Sequence, residues 1–227
     1  MGIALHKKKT SHSTLMTEGS IWKHILFFSI PLILGNMLQQ LYNTVDSIVV
    51  GNFLGSEALA AVGSSSSLIM LLISFSMGTA AGAGVIVSQF IGAQNKKGIH
   101  ESVHTALAIA LILGVVLTAA GLILSPQILR WMGTPEEVMP QSITYLRLYF
   151  AGVIFSILYN MASGILNAVG NSKRALLYLA IASFTNIILD LLFIPVLKMG
   201  IAGAAIATDI SQLLSAVLCM IYLMRVN

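Results

Sequence analysis

Asp46, Asp190 and Asp209 are carboxylates set in otherwise apolar sequence. Each has amide and hydroxyl neighbours at helical spacing. Asn36, Gln39 or Gln40, Asn43 and Asp46 recur at steps of three and four, with Tyr42 one turn before Asp46. Such steps place side chains on one helical face, so a single polar stripe is expected there. Asn186 and Asp190 are one turn apart, with Ser183 on the same side. Thr208, Ser211, Gln212 and Ser215 form a third stripe beside Asp209. A fourth comprises Ser156, Asn160, Ser163 and Asn167. An isolated carboxylate in apolar surroundings is costly unless it is protonated, paired or bound to a cation. No Lys or Arg falls within these stripes at the depth of the acids. A proton, a metal cation such as Na⁺ and a cationic ligand remain as partners. These exclude one another at one site, and mutual exclusion is the basis of exchange.

The elements that must hold these acids are long and apolar. The 227 residues are 57% hydrophobic and 9% charged, with a mean hydropathy of +0.91, against roughly a quarter charged in soluble domains. Apolar runs reach about twenty residues, enough to cross ~30 Å of hydrocarbon. Every backbone polar group in lipid must be paired internally, and the ten-residue alternation of a barrel is absent, so helices are expected. Six spans are predicted, at 24–50, 57–90, 101–124, 140–168, 175–197 and 202–224. The fold class is all-α, a polytopic bundle of six transmembrane helices occupying 23–227, behind a cytoplasmic N-terminal tail at 1–22. Pro31 leaves the carbonyl of Phe27 without its helical partner and favours a bend in the first span.

Basic residues orient the bundle. Nine (Lys7, Lys8, Lys9, Lys23, Lys96, Lys97, Lys173, Arg174 and Arg225) fall on one side, against Arg130, Arg147 and Lys198 on the other. The richer side should be cytoplasmic, with both termini inside a multi-pass protein of the cell's inner (plasma) membrane. Asp46 precedes the outer end of span one by about five residues, Asp190 precedes Pro195 by five, and Thr208 and Asp209 follow the start of span six. At about 1.5 Å per residue these lie at a common depth in the outer half.

Other features carry less. Residues 125–140 read as the longest outer connection. Gly78 and Gly82 have the GxxxG spacing of close helix packing. His100 and His104 lie four apart without a third ligand. Cys219, the one cysteine, sits in an apolar run and reads as a small buried hydrophobe. No nucleophile–base set suggests an enzyme, no cofactor is implied beyond a coupling ion, and the basic balance reads as membrane topology and not as nucleic-acid binding.

The stretches PLILGNMLQQLYNTVDSIVVGNFLG, NIILDLLFIP and GIAGAAIATDISQ, in this order and spacing, resemble the multidrug and toxic compound extrusion (MATE) family in its bacterial DinF-like branch. The resemblance covers nearly all of residues 15–227. It implies the N-terminal lobe alone of a twelve-helix, two-lobed transporter, with a C-terminal lobe as missing partner. It further implies export of hydrophobic, often cationic, drug-like compounds in exchange for Na⁺ or H⁺. Matched residue by residue, it assigns the coupling site to Asp46, Asn186, Asp190 and Thr208, with Tyr42 and Asn160 nearby. Gln39, Asn43 and Asp209 join Tyr42 and Asn160 as candidates for the transport cavity, the role of Asp209 being open. A lipid-linked precursor flippase of the same superfamily would favour basic residues in its cavity, where this chain has acids and amides. A non-transporting membrane subunit is the reading from outside transport.

Overall fold

The computed structural model describes residues 21–226, which are helical almost throughout. Most of the expected tail, residues 1–20, lies outside them. The helices are α1 (Ile21–Leu54), α2 (Ser56–Gly92), α3 (Lys96–Trp131), α4 (Met139–Ala168), α5 (Ser172–Leu191) and α6 (Ile201–Val226). Helices α2 to α6 are each long and apolar enough to cross a membrane, α5 together with the turn that follows it. At 34 residues α1 is also long enough, and its second half carries the polar stripe. It continues through Pro31 as one helix.

Connections are short. One residue, Gly55, separates α1 from α2, at φ 88°, a backbone setting that side chains with a Cβ rarely adopt. Asn95 caps α3, its side chain accepting from the amide of Gly98 at 2.9 Å. Helix α5 ends in a π-helical turn, Leu192–Val196, which contains Pro195 and begins two residues after Asp190. The wide turn closes with the Leu197 amide donating to the carbonyl of Leu192. Turns of this kind are rare and gather at functional sites.

Helix α4 is the hub. It packs against α2, α3 and α6, while α1 rests chiefly on α5 and more lightly on α2. With no hydrophobic force between helices in lipid, close packing has to hold the bundle, and small residues permit it. Ala80 and Gly84 of α2 meet Gly164 of α4 so closely that a Cβ on Gly164 would stand 2.8 Å from the carbonyl of Ala80. Gly114 faces Ile154, and Gly121 lies against the ring of Phe150. Leu129, Leu146, Ile165 and Leu166 are almost wholly buried at these seams.

Two expectations are corrected here. Gly78 and Gly82 do not mark the helix contact: a Cβ on either would meet nothing within 4 Å. The contact runs along the neighbouring face, through Ala80 and Gly84, and the GxxxG pair looks away from the bundle. Residues 125–140 are not one long connection either, because α3 continues through Pro126 to Trp131. A proline inside a helix frees the carbonyl four residues earlier, here that of Leu122. That carbonyl accepts from Nε of Arg147 on α4 at 3.2 Å. The donor that keeps the turn satisfied comes from another helix, which a local reading of residues 122–126 does not include.

Candidate functional site

The polar residues of α1 divide between two adjacent faces. Tyr42 and Asp46 are buried and Gln39 half-buried, whereas Asn36, Gln40 and Asn43 are exposed. Asn43 donates to Gln40 Oε1 at 3.4 Å on that outer face. The expected single stripe is therefore two, some sixty degrees or more apart on a helix that turns about 100° per residue. The inner face turns to α5 and α6.

There four side chains meet. Asp46 of α1 and Asp190 of α5 are near enough for their carboxylates to interact. Asn186, one turn before Asp190, donates through Nδ2 to Thr208 Oγ1 of α6 at 3.4 Å. Asn186 and Asp190 are 1% and 0% exposed. Asp46 Oδ1, Asn186 Oδ1 and both oxygens of Asp190 are buried without a hydrogen-bond donor. Two ionised carboxylates facing each other can only accept, so in that state no group of the protein satisfies them, and a shared proton or a bound cation would. Unpartnered buried acceptors are rare in folded proteins and call for an explanation, an ion among them. Beside them, Tyr42, Ser183, Asn186, Thr208, Ser211 and Gln212 line a small cavity with room for about one water molecule. The oxygen of Gln212 is also buried and unpartnered.

The remaining candidates lie elsewhere. Asp209 is half-buried and turns from this cluster to α4, its carboxylate pressed against Gly152 where a Cβ would collide with it. Asn160 donates to the carbonyl of Ser156 at 2.9 Å. With Ser163 and Asn167 it lines a separate cavity of about 610 Å³ between α2 and α4, opposite Ser88 and Gln89. His100 and His104 stack at 4.1 Å between centroids, and His104 Nδ1 is taken up by the carbonyl of His100. Among the described residues no three His, Cys, Asp or Glu side chains gather as a metal centre.

Sequence reading missed two residues here. Tyr145 and Tyr149 of α4 are buried, one turn apart, with ring centroids 6.5 Å from each other. Tyr145 lies near Asp46 and Asp190, and Tyr149 near Tyr42 and Asp209. Their spacing of four was a visible signal, obscured because the stripe read on α4 began lower, at Ser156.

This arrangement has close counterparts. The MatE family model matches residues 31–192, from Pro31 of α1 to the first residue of the π turn. The chain belongs to the MatE family. The matched region includes Asp46, Asn160, Asn186 and Asp190. This MatE chain is 37% identical over 209 residues to a Bacillus subtilis (strain 168) relative named "Probable multidrug resistance protein YpnP", covering 92% of the chain and 47% of the relative. It is 25% identical over 210 residues to multidrug export protein MepA of Staphylococcus haemolyticus (strain JCSC1435), covering 92% and 46%. A solved structure described as the outward-facing conformation of a multidrug resistance MATE family transporter of the MOP superfamily superposes with a TM-score of 0.88 at 34% identity, over 95% of this chain and 48% of that one. The MatE chain thus spans about half the length of the curated relatives it matches, and its six helices correspond to one half of the transporter fold. It is a multi-pass membrane protein.

Proposed function

We propose that this chain is the cation-binding half of a secondary antiporter that exports hydrophobic, cationic compounds in exchange for Na⁺ or H⁺. The supporting observation is the set of buried oxygens of Asp46, Asn186 and Asp190 that no protein donor reaches. Na⁺ takes several oxygens around one point. Asp46 Oδ1, Asn186 Oδ1 and the Asp190 carboxylate offer them, with Thr208 Oγ1 alongside. Protons compete, because two of the donors are carboxylates. The names of the relatives favour drug-like substrates, and the absence of any basic side chain among the described residues of the cluster disfavours a pyrophosphate-bearing one. Inward movement of either ion gains about 2.3 kcal/mol per 100 mV. That gain drives export only if ion and substrate exclude each other.

The deciding measurement is efflux from proteoliposomes holding the product of the intact gene, under a Na⁺ gradient alone and then a proton gradient alone. Na⁺-driven efflux is expected, with protons competing. Efflux driven by protons and indifferent to Na⁺, with no Na⁺ bound by the purified chain, overturns the preference for Na⁺.

Orientation belongs to the same reading. Lys96 and Lys97 open α3, and Lys173 and Arg174 lie in the first turn of α5, on the side proposed to be cytoplasmic. Single cysteines at positions 97 and 173 are expected to label only from the cytoplasm, and one at 137 only from outside. Labelling of position 173 in sealed, intact cells reverses the proposed topology.

A further inference from the structure

Arg147 has a role that the cation site does not use. Its Nε donates to the carbonyl of Leu122, the one freed by Pro126. That bond fixes the guanidinium on the outside of the α3–α4 seam and leaves its four other N–H donors. Arg147 is exposed, and among the described residues no carboxylate pairs with it and no second acceptor reaches it. Its level in the membrane is set by both helices. The apolar run of α3 extends from Ala106 to Leu124 and gives way to Ser125, Pro126 and Gln127. On α4 the main apolar stretch starts at Leu148, directly after Arg147. Arg147 therefore stands where hydrocarbon meets headgroups. Around it the surface is greasy: Ile123 is 73% exposed, with Leu122 and Leu124 also open. Farther along α3, Trp131 is 77% exposed, as suits an interfacial side chain. A guanidinium at this level needs an anion, and its fork matches a phosphate in two-point contact.

We propose that Arg147, pinned to the carbonyl that Pro126 frees, holds the phosphate of a phospholipid in the leaflet on the side of the α3–α4 loop, with the acyl chains lying over Leu122, Ile123 and Leu124. The assignment rests on α3 and α4 crossing the membrane and not on ion coupling, so it can fail while the antiporter reading stands. Pro126 is part of the device, because an alanine there would return an amide to the Leu122 carbonyl and release the arginine.

The test is native mass spectrometry of the delipidated full chain, titrated with palmitoyl-oleoyl phosphatidylglycerol in mixed micelles. Wild type is expected to retain one phosphatidylglycerol more than Arg147→Gln, whose affinity falls about tenfold or more with loss of a charge-assisted pair. Pro126→Ala should weaken retention several-fold although the arginine remains, and Arg147→Lys should fall between wild type and Arg147→Gln. Circular dichroism checks folding of each variant. If Arg147→Gln does not fold, the other two decide. Retention unchanged by the folded variants overturns the proposal. So does displacement of the lipid by millimolar inorganic phosphate, which would make this a free-phosphate site.

Discussion

Replacing Asp190 by alanine is expected to abolish Na⁺ binding by this chain. Asp190 supplies two of the unpartnered buried oxygens and interacts with Asp46, so its loss removes the largest share of the proposed ligand set. A ligand present at about a hundred times its dissociation constant stabilises the folded state by about 2.7 kcal/mol. Wild type should show a rise of that order when choline chloride is exchanged for saturating NaCl at constant ionic strength, read as a shift in thermal unfolding. Asp190→Ala should show none. In choline alone the variant should be no less stable than wild type, because it removes one of two facing acceptors that the protein leaves unsatisfied. That combination separates a ligand site from a structural acid, whose removal would destabilise under both salts. The companion experiment uses cells carrying the intact gene: Asp46→Asn should lose drug resistance at unchanged expression. An undiminished Na⁺ shift in Asp190→Ala, or undiminished resistance in Asp46→Asn, removes the proposed coupling role.

A second large effect concerns packing. Gly121→Val is expected to destabilise the chain by about 3 kcal/mol or more, at the upper end of what overpacking costs. A Cβ at Gly121 would fall inside the ring of Phe150, which is itself 3% exposed and held in the α3–α4 seam. Gly82→Val, which meets nothing within 4 Å, should stay within about 0.5 kcal/mol of wild type in the same unfolding titration. Equal losses in both variants would mean that helix propensity, and not the seam, sets the cost of replacing these glycines.

The contrast between these two glycines also marks how far the sequence could be read. Long apolar runs make helices in lipid because nothing else satisfies the backbone there, so number and order of helices were legible. The common depth of Asp46, Asp190 and Thr208 was legible by counting residues, but the same count included Asp209, which turns to α4, and it was the family resemblance that picked Asn186 and Thr208 to stand with the two acids. Finer matters depended on partners remote in sequence. Tyr42 and Asn43 are adjacent, yet one is buried against α5 and α6 and the other exposed, and periodicity alone cannot say where a neighbouring helix ends. Gly78 and Gly82 show a packing motif, but Ala80 and Gly84 sit on the face that α4 occupies. The end of α3 was misplaced because the arginine that satisfies its proline-broken turn lies 25 positions away. Tyr145 and Tyr149 gained meaning only once α4 was seen at the centre of the bundle.

The order of packing has a consequence for how the protein is made. Helix α1 rests mainly on α5, whose last residue is translated about 140 residues after α1 is complete, which at 5–20 residues per second is roughly 7–30 s. Throughout that interval the helix bearing Asp46 is in the translocation machinery or the bilayer without its principal neighbour. Helices α2, α3 and α4 can meanwhile assemble with one another, so the nascent chain has a settled half and a waiting first helix. The acid at Asp46 therefore poses its hardest problem during synthesis, before α5 brings Asp190 towards it.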